Sequence, residues 1–317
     1  MEKELFTAKL SGISYQNKLN ITRALLEGNP ISRKEAAQKC ALSEVTVGKV
    51  SSALCERGIL RAEKQPVGRG RHTYFFSPSD IVCALVITVR EESLSASLFD
   101  LSAAPVFEFC RTPSHALPYE VSANSFCSEL SGHISQTGKK RFFKTAVLFS
   151  KGVSTKMREM FKAAALAYFE IDALLEYESA KAHALCRLYP NSVLLAIEAR
   201  ERVSMSIICD NRALPKSDIC ALRLTPNDPT QLIEQISALV CPLFEALLPD
   251  RIIIESQTLL SDRSFCASLR ESIARRMRAD AEDIPPIESN RDADFAEREA
   301  LEIIREQICI SLAGNEC

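Results

Sequence analysis

From residue 81 onward the chain runs one series of elements twice, and this repetition restricts its fold more than any other feature. Apolar periodicity and turn residues predict strands over 81–90, 94–100 and 105–111, then a helix over 119–136. A strand at 144–150, a helix at 153–168, a short strand near 169–174 and a helix at 176–188 follow. Pro190-Asn191 breaks the chain. The series then restarts with strands 192–198, 202–209 and 219–224, helix 229–248, strand 251–256, helix 262–278, a strand near 284–287 and helix 293–311. Each half reads βββαβαβα, with an offset of roughly 110 residues. The expected fold class is α/β, with subdomains over 81–190 and 191–317 and a separate module over 1–76. Ser77-Pro78-Ser79-Asp80 forms the linker.

The module before the linker has a different pattern. Leu19, Ile21, Ala24, Leu25 and Leu26 recur at near-helical spacing over 16–27, and Gly28-Asn29-Pro30 stops that helix. Ser32-Arg33-Lys34-Glu35 is a capping box that opens a second helix, in which Ala36 and Ala37 let a neighbour approach closely. Ser43 caps a third helix, Glu44 to Arg57, with Val47, Val50, Leu54 and Val45 expected on its apolar face. Gly58 closes it. Two helices joined by a short turn, the second opening on polar residues, describe a helix-turn-helix. Ala41 stands where a turn glycine is common. Strand-like runs from Ile59 to Lys64 and from His72 to Phe76 then flank Pro66-Val67-Gly68-Arg69-Gly70-Arg71, a basic loop with the composition of a wing.

Charge separates the same two regions. Residues 1–76 carry 13 Lys+Arg against 7 Asp+Glu, whereas the whole chain has a net charge of −2. A basic head on an acidic body suits a polyanion partner held by the head alone. The N-terminus, Met1-Glu2-Lys3-Glu4-Leu5-Phe6, has no apolar stretch of the kind a signal peptide carries. The most apolar run, Ile81–Val89, is about half of the ~20 residues a membrane span needs. A cytoplasmic protein with no membrane partner is expected. The 12 cysteines are scattered without a Cys-x-x-Cys pair, so they read as small buried hydrophobes in a reducing compartment rather than as metal ligands.

The N-terminal segments resemble a known family. Ile31-Ser32-Arg33-Lys34-Glu35-Ala36-Ala37, Leu42-Ser43 with Thr46-Val47, Leu54 with Gly58-Ile59-Leu60, and Gly68-Arg69-Gly70-Arg71 look like the N-terminal region of ROK-family transcriptional regulators. That family also contains sugar kinases, which lack this module. Its body is a duplicated actin-like ATPase (ribonuclease-H-like) domain, and the βββαβαβα repeat resembles it. Leu98-Phe99-Asp100-Leu101 and Leu248-Pro249-Asp250-Arg251-Ile252-Ile253-Ile254 resemble two of its strand segments.

Where the resemblance would place kinase chemistry, the residues are different. Phosphate-holding hairpins need glycine so that backbone N–H groups can approach the anion. After residue 76 the only glycines are Gly132, Gly138, Gly152 and Gly314, outside both hairpins. The first hairpin reads Thr88-Val89-Arg90-Glu91-Glu92-Ser93 and the second Glu198-Ala199-Arg200-Glu201-Arg202. The family's catalytic aspartate would fall near Tyr177-Glu178-Ser179, and its zinc motif near 211–220, where one cysteine and no histidine stand. No catalytic residue, cofactor or metal is expected. The alternative is a sugar or phosphosugar kinase of the ROK family. The expected function is sequence-specific binding of double-stranded DNA by a transcription regulator, a repressor acting as a homodimer, with a small sugar or phosphosugar as effector. The expected DNA-contacting residues are Ser32, Arg33, Ser43, Glu44, Thr46, Val47, Lys49, Arg69 and Arg71.

Overall fold

The computed structural model describes residues 13–27, 29–66, 72–80, 82–101, 104–114, 116–136, 142–199, 202–209, 212–213, 219–223, 229–255, 263–290 and 295–314. The chain divides into two compact units, Met1–Tyr177 with Ala300–Cys317, and Glu178–Glu299.

The first unit begins with the helical module. Helices α1 (Tyr15–Leu26), α2 (Arg33–Cys40) and α3 (Glu44–Glu56) each start on a serine whose hydroxyl accepts a first-turn N–H. The three bury Ile21, Leu25, Ala36, Val47, Val50 and Leu54 together. Both ends of the turn motif are closed by paired backbone bonds. Ala41 lies at φ 52° and ψ 43°, and the Leu42 N–H donates to the Ala37 carbonyl at 3.0 Å. Alanine therefore adopts the left-handed turn for which glycine is the easier residue. After α3, Gly58 at φ 72° takes the same role, with the Ile59 N–H donating to the Leu54 carbonyl at 2.9 Å.

Strands β2 (Leu60–Pro66) and β3 (His72–Pro78) pair antiparallel, with Leu60 opposite Pro78 and Pro66 opposite His72. A two-residue strand absent from the sequence-based expectation, β1 (Ile31–Ser32), pairs with the other edge of β3, Ile31 opposite Phe76. It is too short to produce a readable alternation.

The remainder of this unit holds a five-stranded sheet. It contains β4 (Val82–Val89), β5 (Leu94–Asp100), β6 (Pro105–Arg111), β7 (Phe142–Phe149) and β8 (Ala173–Glu176), in the order β6-β5-β4-β7-β8. The first three are antiparallel neighbours, whereas β4-β7-β8 run parallel. Every residue of β4 is buried, as a central strand covered on both faces requires. One face meets α4 (Tyr119–Gln136) and α5 (Thr155–Leu166) through Leu85, Ile87, Phe126, Leu130 and Phe161. Strand β8 begins at Ala173 rather than near 169, because Phe169 still closes α5, its N–H donating to the Ala165 carbonyl at 2.8 Å.

The second unit repeats the plan. Helix α6 (Tyr177–Leu188) leads from the first unit into β9 (Leu194–Ala199), β10 (Arg202–Cys209), β11 (Arg212–Ala213), β12 (Ile219–Arg223), α7 (Pro229–Leu247), β13 (Arg251–Glu255), α8 (Arg263–Met277) and β14 (Ile287–Asn290). The sheet order is β11-β10-β9-β13-β14, with β12 also on β10. Strands β9, β13 and β14 are parallel. Leu195, Ile197, Ile252 and Ile254 face α7 and α8. Leu194, Ala196, Ile208 and Ile253 face α6 and Phe295. Strand β14 starts three residues later than expected, because a 3₁₀ turn at Ala281–Asp283 and Pro285-Pro286 occupy the approach.

Helix α9 (Phe295–Gly314) begins in the second unit and ends in the first. There its Glu306 accepts the Arg23 guanidinium of α1 in a two-pronged contact, with Arg23 Nε at 2.8 Å from Oε2. Arg305 donates to the Leu101 carbonyl. The Arg23 hydrogen bonds hold the Glu306 carboxyl below its ordinary 4.5. A carboxyl depressed in the folded state stabilises above its unfolded value, and loses that effect as pH falls through the folded one. Replacing Glu306 with Gln should therefore lower the thermal midpoint at neutral pH and leave it unchanged in acid. Equal midpoint shifts at both pH values would remove the pair from the account. The pair is solvent-exposed, so the shift should be small.

The cysteines match the expectation of small apolar residues where they are buried. Desolvation pushes the Cys127 and Cys309 thiols up to about 12. Among the described residues no helix is long and apolar enough to cross a membrane.

Candidate nucleic-acid interface

Helix α3 turns one face outward. Its N-cap Ser43 accepts the Thr46 N–H at 3.2 Å, and the two hydroxyls lie 2.8 Å apart. Val47, Val50, Ser51, Ala53 and Leu54 are buried against the module. Ser43, Glu44, Val45, Lys49 and Ser52 are exposed. Val45, Lys49 and Ser52 recur at i, i+4 and i+7, so they form one stripe along the helix.

Three expectations need correction. Val47 is 0% exposed and belongs to the core, so its side chain reaches no partner. Ser32 is also buried: its hydroxyl accepts the Glu35 N–H at 3.2 Å, while Glu35 accepts the Ser32 N–H at 2.8 Å. Those hydrogen bonds depress the Glu35 carboxyl. Ser32 is thus a helix cap rather than a contact residue. Val45, expected on the apolar face, is 71% exposed. Two β-branched residues at positions 45 and 47 cannot share one helical face, and packing selects Val47.

Arg33, the first residue of α2, is exposed and lies beside this stripe. Its guanidinium carbon is 5.9 Å from the centre of the Phe76 ring of β3. Arg69 and Arg71 lie outside the described residues. Strand β2 is exposed from Arg61 to Pro66. The arrangement is an outward helix face with hydroxyl, ammonium and guanidinium donors, the Glu44 carboxylate and one apolar group. Such a set can meet phosphate oxygens and base edges in a groove wide enough for a helix.

The strand ends in the body have different chemistry. In the turn from Arg90 to Ser93, the Arg90 N–H donates to the Ser93 carbonyl at 2.9 Å, and its guanidinium lies 4.9 Å over the Tyr177 ring. Glu91 packs against Gly152, where a Cβ would stand 3.2 Å from its Oε2. In the second unit, Glu198, next to last in β9, lies in register with Glu255, the last residue of the adjacent parallel strand β13. The ammonium of Lys181 lies 2.6 Å from Glu255 and 3.7 Å from Glu198. This triad has no signal in the sequence, because its members are separated by long stretches of chain. Residues 210–211 and 214–218, most of the segment matched to a zinc motif, lie outside the described residues.

No protein-family model and no curated protein match the chain. Solved structures do. A ROK family transcriptional regulator, described as a homologue of the E. coli MLC protein, superposes with a TM-score of 0.57 at 13% identity, covering 95% of this chain and 98% of its own. The ethanolamine utilization protein EutJ from Carboxydothermus hydrogenoformans gives 0.49 at 11% identity, covering 78% of this chain and 93% of its own. A ROK hexokinase from Thermus thermophilus gives 0.47 at 12% identity, covering 71% of this chain and 99% of its own. A winged helix-turn-helix followed by a duplicated α/β body is thus the fold this chain has in common with a ROK family transcriptional regulator.

Proposed function

We propose that this protein is a ROK-type transcription regulator that binds double-stranded DNA sequence-specifically as a homodimer in the cytoplasm and represses. The observation that carries this reading is the outward stripe of α3. Val45, Lys49 and Ser52 take no part in closing the core, yet they are aligned on the second helix of a helix-turn-helix. Ser43, Glu44, Thr46, Lys49 and Arg33 are the contact residues, with Val45 available for the methyl group of thymine. Arg69 and Arg71 are assigned to the wing contact on backbone or minor groove.

The body is read as non-catalytic, a dimerisation scaffold that accepts a sugar or phosphosugar effector. Carboxylates at both sets of strand ends (Glu91 and Glu92, then Glu198 and Glu255) disfavour the phosphates a kinase must hold.

The test is selection of bound sequences from a random duplex library by full-length protein at physiological salt. A palindrome with half-sites about one helical turn apart is expected. Absence of any enriched sequence would sink the regulator reading. Transfer of phosphate from ATP to a hexose by the purified protein would replace it with the kinase alternative. Thermal stabilisation by a sugar or sugar phosphate would distinguish a sensor from a bare scaffold.

A further inference from the structure

Helix α3 carries a glycine in its interior. Gly48 lies between buried Val47 and exposed Lys49 and has a helical backbone, so no turn requires it. Glycine in a helix interior costs about 1 kcal/mol relative to alanine. Some packing constraint must compensate for that cost.

The constraint is the Arg33 side chain. A Cβ built on Gly48 would stand 3.1 Å from Arg33 Nε, 3.2 Å from Cζ and 3.4 Å from Cδ. On the other side, the guanidinium lies against the buried Phe76 ring. The Arg33 side chain thus passes close to a bare stretch of helix backbone and within reach of an aromatic ring. Its charge also acts on Cys55, seven residues further along α3, where it opposes the rise that burial imposes on that thiol. Among the described residues no carboxylate or other hydrogen-bond acceptor engages this guanidinium. The side chain is exposed and flanks the stripe of Val45, Lys49 and Ser52.

We propose that Gly48 is a positioning residue: the missing Cβ seats Arg33 between α3 and Phe76, fixing a guanidinium at the margin of the recognition face, where it grips one DNA phosphate. The inference rests on the DNA-binding reading above. Phosphate rather than a base is the target because Arg33 stands at the flank of the stripe, whereas Val45 and Lys49 occupy its middle. A planar fork matches phosphate oxygens in two-pronged fashion, and holding it in place beforehand reduces the ordering cost of binding.

The experiment measures affinity of the full-length protein for a mixed-sequence duplex across a salt series. A phosphate contact shows on any sequence, so no operator is needed. Replacing Gly48 with Ala should weaken binding by about tenfold. It should also flatten the slope of log K against log salt by about 0.9, the share of one phosphate. Arg33→Ala should do the same, and the double variant should be no worse than Arg33→Ala alone. The thermal midpoint of Gly48→Ala should not fall, since alanine is the better helix former. If it does fall, Phe76→Leu, which removes the ring beneath the guanidinium, must give the same slope change.

Wild-type affinity and slope in Gly48→Ala, beside a weakened Arg33→Ala, would overturn the seat and leave the DNA reading standing. Additive losses in the double variant would overturn it as well. A wild-type protein that binds no duplex even at low salt would remove the DNA reading, and the seat with it.

Discussion

Lys181→Met is expected to destabilise the second unit by about 3–5 kcal/mol, the range for stripping one partner from a buried ion pair. Lys181 is 5% exposed and Glu255 7%. The ammonium lies against two carboxylates in register near the ends of neighbouring parallel strands. Methionine keeps most of the volume and removes the charge, so the loss reports electrostatics rather than a cavity. Urea unfolding at neutral pH measures it. Lowering the pH should recover stability, because a protonated carboxyl has no charge to strand. Adding Glu255→Gln should recover part of it at neutral pH, since a single carboxylate then remains. A loss under about 1 kcal/mol would mean that water already solvates the triad.

The second large effect is expected at Phe126. Phe126→Ala should cost about 3–5 kcal/mol in the first unit. This ring, 1% exposed on α4, lies 5.3 Å from Phe109 of β6 and 6.2 Å from Phe161 of α5. Phe161 in turn meets Phe149 of β7 edge-on at 6.2 Å. The ring thus joins an edge strand and two helices, and through Phe161 it reaches an inner strand. Truncating it leaves a cavity that those four elements cannot jointly close. Phe126→Leu should cost clearly less, since it retains most of the buried area. Guanidinium denaturation would measure both. Equal losses for the two substitutions would indicate that the aromatic cluster, rather than filled volume, is what matters there.

Local features were legible because their physics is local. Ser32 with Glu35, Ser43 with Thr46, and Gly58 after α3 are each satisfied within a few residues, so a capping pattern predicts them from sequence. The repeated series after residue 81 was equally legible, since long apolar runs and periodic helices need no knowledge of their partners. Its strand ends slipped by three or four residues at β8 and β14, where a helix C-terminus and a proline pair delay the ladder. The two-residue β1 exists only through its pairing with β3.

Which side of α3 faces outward was less legible. Val45 and Val47 have the same chemistry, and only the seating of the helix on α1 and α2 buries one and exposes the other. The crowding of Gly48 by an arginine fifteen positions earlier was not legible in the sequence.

The sequence by itself determined where helices and strands begin, that the body is a duplication, and that a basic helix-turn-helix precedes it. These follow from interactions between residues close in the chain. The tertiary structure alone decided which side chains of the recognition helix remain outside, that Arg33 is seated against Gly48 and Phe76, and that Lys181 stands between Glu198 and Glu255. Each of these brings together residues far apart in sequence, and their proximity is set by how whole elements pack.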